Sequence, residues 1–229
     1  MRIHSNEIEN GLALPRTDQR TAAGYPAQPV LRPEVARFSL MLLAMIGLPI
    51  GLLWTGVLPF AWRFYVLAVV LVGFILLSLH RGYGLRDLGF TTLHLGESLR
   101  ANLLFCGIGS LGLLAAYQAD LLMPYRQQGL ACSYAFYMLF LGPVQEVIFR
   151  GILFAEMHRQ GIAEPRVVVT ISTLSFCFLH LIYNHPPMLL ITLISGLVWS
   201  LLYLRWRNIW GISLSHSVLG ALAMYLGML

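Results

Sequence analysis

The chain has 229 residues, of which 58% are hydrophobic and only 11% charged, and its mean hydropathy is +0.72. Soluble globular domains carry about a quarter charged residues, so the composition excludes that class and indicates a polytopic membrane protein. The net charge of +5 comes from arginine without a single lysine; most arginines flank apolar runs, so membrane anchoring explains the sign and a nucleic-acid partner is not expected.

Met1 to about Arg37 is polar, is interrupted by Pro15, Pro26, Pro29 and Pro33, and reads as a flexible tail. It lacks the apolar core and cleavage site of a secretory signal, so the first apolar run reads as a retained helix. Residues 38–229 then form one all-α transmembrane bundle. Runs long enough to cross the bilayer predict about seven spans: Phe38–Phe60, Arg63–His80, Leu99–Met123, Ala131–His158, Arg166–Tyr183, Met188–Arg205 and Ile209–Leu229. Arg81–Leu95 reads as an interfacial turn or short amphipathic segment. Cys106, Cys132 and Cys177 lie in or beside apolar runs without paired spacing and signal neither a disulfide framework nor zinc.

Arginine placement orients this segmentation. With the N-terminus in the cytoplasm, Arg2, Arg16, Arg20, Arg32, Arg37, Arg81, Arg86, Arg100, Arg159, Arg166, Arg205 and Arg207 lie inside, and only Arg63 and Arg126 lie outside. The all-arginine tail suggests a prokaryotic inner membrane. Tyr and Trp at span ends, including Trp62, Tyr125, Tyr183, Trp206 and Trp210, read as interface anchors. Glu156 and His158, near the inner end of the fourth span, read as solvated.

Arg150 is the one arginine inside a span. It follows Glu146 by four residues in Gly142-Pro143-Val144-Gln145-Glu146-Val147-Ile148-Phe149-Arg150-Gly151, so the two share a helix face and can pair, while Gln145 and Phe149 lie about 100° round. Pro143 is expected to kink the helix, and Gly142 and Gly151 permit close helix approach. An ionised residue near the bilayer centre costs about 2.5–3.5 kcal/mol even on the lenient insertion scale, so the pair marks a site or a packing clamp. His180 and His216, in later spans, extend the polar set. Each could equally be a hydrogen-bonded core residue, His216 helped by Ser213, Ser215 and Ser217. Together, a carboxylate and two imidazoles could activate water and stabilise an oxyanion. Glu146, His180 and His216 also have the ligand types of a zinc site.

Three ordered segments carry a resemblance: Gln145-Glu146-Val147-Ile148-Phe149-Arg150-Gly151, Phe176-Cys177-Phe178-Leu179-His180 and His216-Ser217-Val218-Leu219-Gly220. They resemble the Glu-Glu-x-x-x-Arg, Phe-x-x-x-His and His-x-x-x-Asn/Asp motifs of the CAAX prenyl endopeptidase and bacteriocin-processing (CPBP, Abi) family of intramembrane peptidases. The likeness runs from about Leu130 to Ala223 and includes Gly196 to Tyr203. It implies a helix bundle around a polar cavity, a glutamic-type hydrolysis without a cofactor, and a membrane-anchored protein or peptide substrate. By position it implies that Gln145 with His180 activates water, that His216 with residue 220 stabilises the oxyanion, and that Arg150 orients the carboxylates. Phe149, Phe176 and Gly220 are the supporting positions.

The chain departs from these motifs twice, with Gln145 where the family has Glu and Gly220 where it has Asn or Asp. An amide cannot serve as a base at neutral pH. Three readings follow: Glu146 carries the reaction; the chain is a membrane scaffold or peptide-binding regulator without activity; or Gln145 is an introduced isosteric replacement. A transporter would predict internal duplication and broken helices in both halves, and neither is legible.

Overall fold

The computed structural model describes residues 33–120, 122 and 134–227. The residues read as a tail before Pro33, together with Tyr125, Arg126 and Cys132, lie outside the described residues. Among those described there are seven principal helices and no strand: α1 Pro33–Trp54, α2 Arg63–Arg81, α3 Leu95–Gln118, α4 Tyr134–Arg159, α5 Pro165–Leu179 (continued by a 3-10 turn, His180–Tyr183), α6 Pro186–Trp206 and α7 Ile209–Tyr225. The first six are long and apolar enough to span a membrane, whereas α7 is a shorter apolar helix.

Helix ends follow local chemistry. Pro33 and Glu34 begin α1, so this helix starts within the segment read as tail; proline is tolerated in a first helical turn because its missing N–H would have had no partner there. The α5 N-terminus is capped by Glu164, whose carboxylate accepts from the Val167 N–H at 2.7 Å, with Pro165 next. Asn208 caps α7 by accepting from the Trp210 N–H at 3.1 Å. Its amide also donates to the carbonyls of Thr91 and Leu93, at 2.8 and 3.1 Å. Gly82, in the left-handed region at φ 71°, ends α2.

The central helix is α4. In its most apolar window 56% of residues are buried, against 11% for α2 and 17% for both α1 and α3. The first three helices therefore carry much of the outward-facing apolar surface, and α4 to α6 hold more of the core. Within α4, π-helical turns at Tyr137–Leu141 and Val147–Ile152 bracket the regular segment Gly142–Glu146. Widened turns of this kind alter the backbone ladder and recur at functional sites. One carbonyl in the second turn, that of Phe149, accepts from the Ser172 hydroxyl of α5 at 2.9 Å. Pro143, expected to kink the helix, lies two residues after the end of the first turn.

Glycines set the close approaches. A Cβ on Gly142 would come within 2.9 Å of the Ser217 hydroxyl on α7, and one on Gly151 within 3.1 Å of the Leu88 carbonyl. The segment after α2 is accordingly more than a surface turn, because Leu88 is buried against α4 and the Gly89 carbonyl accepts from the Ile209 N–H at 2.9 Å.

Glu156 overturns a sequence expectation, since it is fully buried rather than solvated. It accepts from Arg81 at 3.0 Å, from the Tyr83 hydroxyl, and from Gln160 at 2.8 Å. No local pattern around Glu156 signals that α2 and its following turn fold over this carboxylate. Burial, then the neighbouring Glu156 carboxylate, pushes the Tyr83 phenol up from its ordinary value, so it remains a donor. His158 is exposed, as expected, as are Trp62 and Trp210 at 54% and 50%.

The α3–α7 contact gives a stability test. A Cβ on Gly211 would overlap the Ser98 hydroxyl and come within 3.0 Å of the Ser98 backbone, whereas one on Gly51 meets nothing within 4 Å. Gly211→Ala is expected to destabilise by about 1–3 kcal/mol through overpacking. Gly51→Ala should be neutral or stabilising by up to about 1 kcal/mol. Thermal unfolding of both variants in detergent checks the contrast.

Candidate active site

One carboxylate organises the polar centre of the bundle. Glu146 and Arg150, four residues apart on α4, are both fully buried, and Arg150 donates to Glu146 Oε1 at 3.0 Å. The other arm of the guanidinium donates to the Gly196 carbonyl of α6 at 2.9 Å. Its carbon lies 4.7 Å from the centre of the Phe176 ring. A charge in this setting survives only with such partners, and here an anion, a carbonyl dipole and an aromatic face supply them. Gly196 allows the approach, because a Cβ there would lie 3.0 Å from Phe176 and 3.5 Å from the guanidinium.

The same Oε1 accepts from His216 Nδ1 of α7 at 2.6 Å. His216 thus bonds to Glu146 instead of to the neighbouring serines. The Ser217 hydroxyl goes to the Met138 carbonyl at 2.7 Å, and Ser215 bonds to Asn102 Oδ1 at 2.9 Å. Stacking fixes the imidazole further: its ring lies on Trp199 at 4.4 Å between centroids and 17° between planes. The Trp199 N–H donates to Ser215 at 2.8 Å, so α3, α6 and α7 jointly hold the platform. In the tautomer that places Nδ1–H on the Glu146 oxygen, the lone pair of the ring is on Nε2.

His180 is held in the same tautomer by a different partner. Its Nδ1 lies 2.9 Å from the Phe176 carbonyl; a carbonyl can only accept, so Nδ1 carries the hydrogen and Nε2 the lone pair of the neutral ring. Both imidazoles stand edge-on to Phe176, at 4.8 Å for His180 and 5.4 Å for His216. Phe149 packs edge-on against Phe176, 5.5 Å between ring centroids.

Both histidines border a cavity of about 240 Å³, whose polar groups come from Tyr137, His180, Thr192, Ser195 and His216 on an otherwise apolar wall. Gly220 lines it as well. Glu146 does not border it and reaches it through His216. Gln145 lines a separate cavity of about 400 Å³ with Ile46, Phe64, Phe140, Phe149 and Leu179. Its Oε1 is buried without a hydrogen-bond partner among the described residues. The structure therefore joins Glu146, Arg150 and His216 directly, sets His180 beside them across Phe176, and leaves Gln145 on another wall.

Among the described residues no three His, Cys, Asp or Glu side chains form a metal-binding group. Glu146 directs Oε1 to Arg150 and His216.

Sequence reasoning missed Tyr137 and Asn102 and met Trp199 only within a longer stretch. Asn102 had a legible signal, an amide in the middle of an apolar run. Tyr137 had none, because it lies near a span end, where tyrosine ordinarily reads as an anchor.

Residues 127–222 match the model of the family described as Rce1-like, type II CAAX prenyl endopeptidase Rce1-like. That is a peptidase family, and it agrees with the one that the three motifs resemble. No curated protein and no solved structure matches the chain.

The ion pair yields a double-mutant test. Arg150→Met alone leaves a buried carboxylate without its cation and is expected to destabilise by about 3–5 kcal/mol. Glu146→Gln should cost at least about 1 kcal/mol less in the Arg150→Met background than in the unaltered chain, a coupling energy read from detergent unfolding of the four proteins.

Proposed function

We propose that this chain, a member of the Rce1-like CAAX prenyl endopeptidase family over residues 127–222, is an intramembrane endopeptidase. It cleaves a membrane-anchored or hydrophobic peptide by attack of water, without a cofactor. The observation that carries this reading is the 2.6 Å bond from His216 Nδ1 to the buried Glu146 carboxylate in a histidine that borders the cavity; in that tautomer Nε2 is the free acceptor.

The proposed division of labour follows from the tautomers. His216 Nε2 is the base and His180 Nε2 accepts the second hydrogen of the water, which aims its oxygen at the scissile carbonyl. The water oxygen bonds to the carbonyl carbon, one water proton passes to His216, and the carbonyl π pair moves onto its oxygen. When the intermediate collapses the C–N bond breaks, and the imidazolium returns its proton to the leaving nitrogen. Glu146 acts as a positioning residue: it fixes the tautomer and stabilises the imidazolium, much as a carboxylate supports histidine in other hydrolases. Arg150 pairs with Glu146 at 3.0 Å and holds the carboxylate toward His216. This assignment moves the base from the Gln145 position to His216.

Arginine placement supports a cytoplasmic N-terminus, the all-arginine tail a prokaryotic inner membrane, and, if α7 crosses as a seventh span, the C-terminus lies on the opposite side; reporter fusions at the two ends read this out. The competing reading is a peptide-binding scaffold, favoured by the amide at Gln145.

An S-farnesylated CaaX peptide, assayed by mass spectrometry in proteoliposomes, separates the readings. Cleavage by the chain as it stands should fall about 10²–10⁴-fold in His216→Ala and His180→Ala. Glu146→Gln should lower kcat at constant KM and shift the pH profile, which a packing role alone would not do. Gln145→Glu should give no gain. Binding without cleavage, or cleavage only in Gln145→Glu, would favour the scaffold or a lost base.

A further inference from the structure

We propose that the Tyr137 hydroxyl is the hydrogen-bond donor to the oxyanion in this chain, a role that rests on the peptidase reading above. Attack of water on a carbonyl builds negative charge on its oxygen, and a donor placed there is among the largest single contributions to such catalysis. The two histidines do not supply that donor in their resting form. His180 uses Nδ1–H on the Phe176 carbonyl and His216 uses Nδ1–H on Glu146. Each therefore offers the cavity an acceptor.

The other polar groups around the cavity are committed as well. Thr192 donates to the Leu189 carbonyl at 3.0 Å, Ser195 to the Thr192 carbonyl at 3.4 Å, and the Trp199 N–H to Ser215 at 2.8 Å. Tyr137 is the exception. Its ring lies edge-on to His216, 6.1 Å between centroids, and the residue borders the same cavity. Its hydroxyl donates to none of the described residues.

Gly220 explains how the phenol comes to be there. It lies four residues after His216, on the same face of α7. A Cβ built on it would overlap the Tyr137 hydroxyl and the ring atoms Cε1 and Cζ. A side chain at 220 and the phenol of Tyr137 thus compete for one volume. Absence of a side chain from α7 and presence of a hydroxyl from α4 are two halves of a single arrangement, in which the polar group enters from the opposite helix.

Tyr137→Phe keeps the ring and its packing and removes only the donor. In the farnesylated CaaX assay it is expected to lower kcat about 100-fold, with KM and the detergent Tm unchanged. A second pair of variants exchanges the two positions: Tyr137→Ala with Gly220→Asn should exceed Tyr137→Ala with Gly220→Ala in kcat by at least about tenfold, because the amide returns a donor to the vacated volume. Full kcat in Tyr137→Phe, with His216→Ala inactive, would overturn the role of the hydroxyl and leave the peptidase reading intact. Loss of Tm in Tyr137→Phe would assign the residue to packing. If the unaltered chain does not cut the peptide, the peptidase reading fails and this inference fails with it.

Discussion

A carboxylate that cannot reach water must be matched by its surroundings, and Glu146 is the group to which the centre of this bundle answers. Its Oε1 alone accepts from a guanidinium of its own helix and from an imidazole of α7. The guanidinium in turn reaches α6 through the Gly196 carbonyl. One oxygen thereby ties three helices, and the arrangement is directional: a shift of α7 along its axis would strip Glu146 of His216, while a shift of α6 would strip Arg150 of its second acceptor. Ionic pairs in apolar interiors contribute little net stability, but their loss is severe, which makes them better at specifying a geometry than at strengthening it.

Around that centre the supporting residues perform different tasks. Trp199 and Phe176 enclose the imidazole with flat and edge contacts, restricting its rotation without competing for its nitrogens. The Asn102–Ser215–Trp199 chain anchors the Trp199 platform to α3. Serines beside the histidine are spent on holding helices together, which leaves the imidazole nitrogens to Glu146 and the cavity. Glu156 forms an independent buried polar cluster with Arg81, Tyr83 and Gln160, and ties α2 and its following turn to the far end of α4.

Much of this was legible beforehand, for physical reasons. Apolar length identifies spans because the backbone in lipid must satisfy itself, and helical periodicity put Glu146 and Arg150 on one face. Sequence order alone suggested that His180 and His216 belong with them. Span limits were less legible, since Pro33 and Pro186 begin helices instead of preceding them. Which wall a residue faces was not legible at all. Gln145 and Glu146 are adjacent in sequence, yet one borders a cavity between α1, α2 and α4 and the other points at α7. Similarly, the fate of Glu156 depended on a turn from a distant part of the chain, and no local pattern encodes that contact.

The π-helical turn at Tyr137–Leu141 has a consequence for register. Tyr137 and Glu146 are separated by about two and a half turns of an ideal α-helix, which would place them on opposite sides of α4. Instead both meet His216, one through its ring and the other through its carboxylate, because the wider turn between them absorbs part of the rotation. What that turn contributes is a residue count. Leu139 and Phe140 within it are 81% and 44% exposed, so many side chains would serve there, and loss of either would let the segment close to a regular α-helix with Tyr137 kept within about a quarter turn of Glu146. The turn tolerates changes of chemistry and is the place in α4 where one residue of length is taken up.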